Sequence, residues 1–320
     1  MAVFLLFAGI VGLGFRDAWW SYASRTEPDN RKLWALALGF ASAWIIAIIY
    51  AIIICTWAGK SFGFGKAECA KLIAIAAATA VAWPAAFIAI LTAVGAARAS
   101  FLDWGCVPLF AILATWLFDP QDLRHFWVFP SPGLLLIVCL AVTLTGTGLI
   151  LCSLRGPLSD AAFWPHKSRR ISVFLGVGCA LVSSGAGYLS SQLSSDMVKA
   201  GVPAAVVLAI KLALLCPLVL IMSYVQGNRD FRAGSAFIRR SMVFGLLLVV
   251  PLLALYESFR QGEIAAVAGF VMATIPVIVF GFEVMVFRVR SARNIRWIEY
   301  VGMLLIVLSA VLFSVIQRFI

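Results

Sequence analysis

Lys211 has the most demanding setting of any ionisable residue in the chain. It stands eight residues into the apolar run 203–225, roughly 12 Å along a helix at 1.5 Å per residue, too deep for easy snorkelling. An isolated ammonium at that depth is costly, so it must meet a partner. The partner is either an acidic side chain in a structural ion pair or the carboxylate or phosphate of a bound solute. A proton exchanged with an acidic neighbour is a further use of the same group.

Arg16 and Asp17 come next. They directly follow the apolar stretch 2–15, which is shorter than the roughly 20 residues of a spanning helix. The helix is therefore expected to continue through Ala18-Trp19-Trp20-Ser21-Tyr22 and to carry both charges with it. Arg16 could then clamp an anionic group bidentately while Asp17 carries a coupling proton. The plainer reading is charge compensation at an interfacial helix end anchored by Trp19 and Trp20. Asp103, Glu257, Glu283 and Glu299 lie within a few residues of the ends of apolar runs, where water and arginines reach them, and are expected to be interfacial. Glu257 is the candidate among them, because Tyr256-Glu257-Ser258 gathers polar groups at one helix end. Trp83 beside Pro84, and Trp104 four residues before Pro108, could stack on a solute, although aromatics in apolar helices mostly pack.

Other chemistry finds little material. The two histidines, His125 and His166, fall in connections, and the seven cysteines are scattered without a CxxC pair. Neither pattern suits a metal centre, and the cysteines read as small packing residues. Gly63-Phe64-Gly65-Lys66 is too short a pattern for a phosphate cradle, no Walker motif is present, and no cofactor is implied.

The elements that must hold these residues are transmembrane helices. Hydrophobic residues make up 63% of the 320, charged residues 12%, and the mean hydropathy is +1.03, far from a soluble domain. Besides the N-terminal stretch, apolar runs occupy 33–57, 72–95, 100–118, 134–154, 171–190, 203–225, 241–258, 264–286 and 298–316. Each is long enough to cross a bilayer as a helix, whereas a barrel would show short alternating segments. No connection is long enough to fold separately. The net charge of +11 could suggest nucleic acid, but the basic residues follow topology instead: 17 of the 25 Lys and Arg fall in the odd connections and seven in the even connections and C-terminal tail. The positive-inside rule then puts the odd connections in the cytosol and both termini outside the cytoplasm, with the plasma (inner) membrane as the expected location.

A repeat runs through the chain. Gly133-Leu-Leu-Leu-Ile-Val-Cys-Leu-Ala-Val142 and Gly302-Met-Leu-Leu-Ile-Val-Leu-Ser-Ala-Val311 agree at seven of ten positions. Pro108 precedes the first by 25 residues and Pro276 the second by 26, each inside the preceding run. The halves 1–154 and 171–320, joined by a cytosolic linker 155–170, therefore read as duplicates. Five helices per copy force the second to enter from the opposite side, giving an inverted repeat. Pro84, Pro108, Pro217, Pro251 and Pro276 are expected to kink their helices or free backbone carbonyls.

With these stretches the sequence resembles the drug/metabolite transporter superfamily, in particular its ten-helix permeases of two EamA-type repeats. The resemblance covers nearly the whole chain and rests on Gly95–Ala111 around Pro108, Ala265–Val277 around Pro276 and the glycine-led last helix of each half. It implies an all-α integral membrane protein of ten transmembrane helices in two inverted five-helix repeats. It also implies a non-enzymatic secondary transporter moving a small organic metabolite by alternating access. Given Lys211, the solute would be anionic, and protons could be coupled. Two features depart from the family: Asp119-Pro120-Gln121-Asp122 and Arg288-Val289-Arg290 stand where a Gly-Glu-Arg-like turn is common, and the charge count reverses the usual orientation. The alternatives are a membrane-embedded transferase acting on a lipid-linked substrate, which would need a His, Asp or Glu constellation at a membrane face, and a lipid flippase of the same fold.

Overall fold

A computed structural model describes residues 1–23, 29–57, 64–91, 96–118, 132–153, 169–225, 232, 234–262, 268, 271–287 and 296–316. Among them the regular elements are all helices. They are α1 (Ala2–Ala23), α2 (Asp29–Trp57), α3 (Lys66–Leu91), α4 (Ala96–Gly105), α5 (Val107–Phe118), α6 (Pro132–Ser153), α7 (Arg169–Lys199), α8 (Ala204–Ala213), α9 (Leu215–Val225), α10 (Ser235–Arg260), α11 (Ile275–Met285) and α12 (Trp297–Ile316).

Six stretches are helical, long and apolar enough to cross a membrane: Ala2–Trp20, Arg31–Trp57, Lys66–Ala86, Phe174–Lys199, Ala204–Val225 and Ser235–Arg260. Four shorter apolar helices lie at Ser100–Ala111, Ile137–Leu149, Ile275–Met285 and Trp297–Ser309. Phe4, Trp57, Phe174 and Val250 are among many large apolar side chains that face outward. Such a surface suits hydrocarbon rather than water, and the architecture is that of an α-helical multi-pass membrane protein.

The first helix runs through Arg16 and Asp17 to Ala23, as its length requirement predicts. The sixth apolar run is longer than expected, because α7 continues past position 190 to Lys199. Hydropathy under-reads this end, where the buried Ser190 and Ser194 find hydrogen-bond partners inside the protein. The hydroxyls of Ser190 and Thr79 lie 2.7 Å apart, and Ser194 donates to the Ser190 carbonyl at 2.6 Å.

The five prolines divide into two kinds. Pro84 and Pro251 lie inside continuous helices. Pro108, Pro217 and Pro276 each stand in the first turn of a helix that follows an interruption, at Cys106, Leu214 and Ala273–Thr274. A proline there takes a position whose N–H is spare, and it withholds the donor that a continuous helix would send to the carbonyl four residues back.

The chain divides into two compact units, Met1–Val81 with Ser190–Glu263 and Ala82–Leu189 with Ile264–Ile320. Each unit draws on both sequence halves. In the first, α1 packs antiparallel to α10 and α2 packs along it. A Cβ on Gly12 would stand 2.5 Å from Pro251 Cγ, so glycine lets α1 settle onto the proline ring. Phe40 and Phe244 meet edge to face at 5.7 Å, and Ser42 donates to the Ser241 carbonyl at 3.1 Å. In the second unit α6 and α12, the helices carrying the matched ten-residue stretch, pack antiparallel. Thr143 donates to Ser309 at 2.8 Å, and Ser309 to the Cys139 carbonyl at 2.7 Å. A Cβ on Gly146 would fall 2.5 Å from the Gly302 carbonyl oxygen. Close glycine contacts and hydroxyl bonds are what hold helices together where lipid offers no hydrophobic contrast.

Candidate functional site

The position of Lys211 is set by the turn before it. α7 ends in a Schellman arrangement: Val202 N–H bonds to the Met197 carbonyl at 3.1 Å and Gly201 N–H to that of Val198 at 3.0 Å. Gly201 adopts φ 96°, which glycine takes without strain, and Pro203 then starts α8. This stop fixes where α8 begins and so which face carries Lys211.

Lys211 lies in the last turn of α8, 6% exposed, beside the interruption at Leu214. Its Nζ donates to the hydroxyl of Tyr256, on α10, at 2.8 Å. The same Nζ is 5.5 Å from the Tyr256 ring centre. So short a hydroxyl contact with so distant a ring centre puts the ammonium off the oxygen-bearing edge, not over the ring face, and the hydrogen bond is the interaction that matters. Tyr256 is fully buried. The negative end of the α8 dipole also favours a cation here. Pro217 removes the donor that would have reached the Ala213 carbonyl, which adds to that negative end.

Among the described residues no carboxylate lies within ion-pair distance of Lys211. Among the described residues the ammonium's other N–H donors and the phenol O–H have no further hydrogen-bond acceptor. Donors therefore converge on one buried spot without an acidic acceptor, an arrangement that suits an incoming oxyanion.

The other predicted residues are placed differently. Arg16, 3% exposed, grips its neighbour Asp17 through Nε at 2.7 Å and Nη2 at 2.5 Å, the local compensation that adjacency implied. Glu257 turns to the exposed end of α10, where Arg260 donates to it at 2.6 and 2.8 Å and Gln261 at 3.1 Å. The structure thus gives Lys211 the tyrosine of the Tyr256-Glu257-Ser258 cluster, not its glutamate. Trp83 and Trp104 are half-buried members of the second unit.

Two carboxylates depart from the interfacial expectation. Glu283 and Glu299 are only 3% and 1% exposed. Glu299 lies in the first turn of α12, and its Oε2 accepts the Arg296 N–H at 3.3 Å, so helix-capping geometry draws it inward. Glu283 lies in the last turn of α11 and is nonetheless buried, because neighbouring helices cover that end. The same capping geometry occurs at Gly65, whose N–H bonds to Glu68 at 2.7 Å at the start of α3. His125 and His166 lie outside the described residues, as does the linker 155–168. Among the described residues no His, Cys, Asp and Glu group could hold a metal ion.

No protein-family model matches the sequence. No curated protein matches it either. It is similar to a solved structure described only as "Crystal structure of protein", with a TM-score of 0.65 and 15% identity over 99% of this chain and 97% of that one. That likeness concerns the fold alone.

Proposed function

We propose that the chain is a secondary transporter of the drug/metabolite transporter type, a ten-helix permease of two inverted EamA-like repeats. In this reading it moves a small organic metabolite bearing a carboxylate or phosphate by alternating access, without altering it. The observation that carries the reading is Lys211, a buried ammonium at a helix interruption whose hydrogen bond goes to a phenol and not to a carboxylate. A cation so placed is stabilised fully only when a solute supplies the counter-charge.

The architecture supports the same reading. Among the described residues six helices are long and apolar enough to cross a membrane, and four shorter apolar helices coincide with the other four apolar runs, which supports a ten-span reading. The matched stretches of α6 and α12 pack antiparallel, the relation that an inverted repeat requires. Interruptions precede Pro108 and Pro276, at corresponding places in the two halves. Broken helices that leave backbone groups near the midplane recur in carriers of this kind. The odd connections face the cytosol of the plasma (inner) membrane, both termini lie outside, and Asp17 is the candidate proton carrier.

Counterflow in proteoliposomes tests the proposal with a panel of labelled carboxylates, phosphates and organic cations. Uptake of an anionic member, recovered chemically unchanged and abolished by Lys211→Ala in protein that still inserts and purifies, is the expected result. Undiminished uptake by Lys211→Ala, or recovery of a modified product, overturns it. Proton coupling predicts that Asp17→Asn flattens the pH profile of uptake; identical profiles remove that role. A reporter fused after Ile320 should behave as extracytoplasmic.

A further inference from the structure

A second cationic site lies in the first unit, away from the Lys211 helix. Where the C-terminal end of α1 meets the first two turns of α10, a cavity of about 330 Å³ is lined by Trp19, Ala236, Arg239, Arg240 and Val243. The four α10 residues are spaced i, i+3, i+4 and i+7, one face of a helix, so both guanidinium stems rise from the same stripe. Arg239 is exposed and Arg240 partly so.

Below the arginines the stripe turns wholly apolar and stays open to the outside. Val243 and Val250 are 37% and 62% exposed, and Leu247 between them is partly so. On α1 the face of Trp19 continues through Phe15, Ala8 and Phe4, and Ala8 and Phe4 are exposed. The two helices run antiparallel and approach closely at Gly9 and Gly12, against Pro251 and Leu255, so these stripes flank one shallow seam. A charged head site thus opens onto an apolar track long enough for a chain.

From this the geometry points to a bound anionic phospholipid, its phosphate held by Arg239 and Arg240 beside Trp19 and an acyl chain laid along the α1–α10 seam. The chemistry of each part matches. Guanidinium forks recognise phosphate oxygens bidentately, and an indole settles at headgroup depth with its ring in the apolar layer. Arg239 and Arg240 also belong to a connection with the heavier basic load, the side that faces an anionic leaflet under the positive-inside rule. A free phosphate would use the arginines but would leave the exposed apolar track without purpose. The site needs the chain to be membrane-embedded but not to be a transporter, so its test stands apart from the uptake experiment.

The test uses the full chain in detergent, titrated with phosphatidylglycerol or phosphatidylcholine and read by native mass spectrometry. The wild type should bind phosphatidylglycerol about ten- to thirty-fold more tightly, the effect of two arginines at a lipid surface. Arg239→Gln/Arg240→Gln should erase that preference, while Lys66→Gln/Lys71→Gln, which removes the same charge from exposed sites on α3, should retain it. If the double arginine variant does not fold, Arg239→Gln alone should lose part of the preference. An unchanged preference in the arginine variants, an equal loss in the lysine variant, or displacement of the lipid by millimolar inorganic phosphate would overturn the assignment.

Discussion

Arg16 and Lys211 are both cations sunk in apolar helices of the first unit, 3% and 6% exposed, yet each meets burial differently. Arg16 has a carboxylate one residue away and holds it through two nitrogens at 2.7 and 2.5 Å. The charge meets its opposite within one turn of α1. Lys211 has a neutral phenol at 2.8 Å and the carbonyl end of a ten-residue helix. These soften the burial without cancelling the charge. The contrast separates a cation that belongs to the fold from one that is held ready for a ligand.

Removing Arg16 should therefore do the most damage to the fold. Arg16→Met removes the buried ion pair with Asp17, and breaking such a pair costs about 3 kcal/mol at the low end of its range, which applies because Asp17 keeps 24% of its side chain in solvent. Thermal unfolding of the detergent-purified protein should fall accordingly. If Arg16→Met unfolds with the wild type, the pair is not structural and the contrast with Lys211 fails. The next largest effect should come from Tyr256→Phe, which leaves the Lys211 ammonium buried without its acceptor, a loss of about 1.5–3 kcal/mol for a charged hydrogen bond. Lys211→Met should stay within about 1 kcal/mol of the wild type, because an apolar side chain of similar length replaces a cation that has no carboxylate partner among the described residues. In the double variant Lys211→Met/Tyr256→Phe most of the Tyr256→Phe penalty should disappear, since the stranded charge is gone. Equal destabilisation by Arg16→Met and Lys211→Met would erase the distinction.

What the sequence allowed to be read, and what it hid, follows from range. Composition identifies helices, since their backbone bonds are local and the apolar runs are long. The Arg16–Asp17 pair is legible for the same reason: its partners are adjacent. Proline marks a disturbance at each of its five positions in the runs, but its outcome depends on the surroundings. Pro251 stays in a continuous helix whose ring is met by Gly12, 239 residues away in the chain, a contact that no local pattern announces. Pro217 follows an interruption. Tyr256 is likewise hidden, because it lies 45 residues from Lys211 on another helix. Glu283 and Glu299 are hidden in the same way, because closeness to the end of an apolar run does not imply exposure when neighbouring helices cover that end.

Glu257 supplies the smallest effect and the finest test of the comparison. By sequence it is the acid best placed to join Tyr256 near Lys211, and had it done so Lys211 would be an ion-paired residue like Arg16. Instead its carboxylate is shared between Arg260, whose side chain is 62% exposed, and Gln261 at the open end of α10. An exposed pair of this kind is worth about 0–1 kcal/mol. Glu257→Gln should accordingly leave thermal unfolding nearly unchanged, and it should leave the Tyr256→Phe penalty as large as before, because the two sites share no partner. A Glu257→Gln protein that loses as much stability as Tyr256→Phe, or in which that penalty shifts, would show that Lys211 draws on this carboxylate. The second cation would then be compensated like the first, and the case for a solute as its counter-charge would go with it.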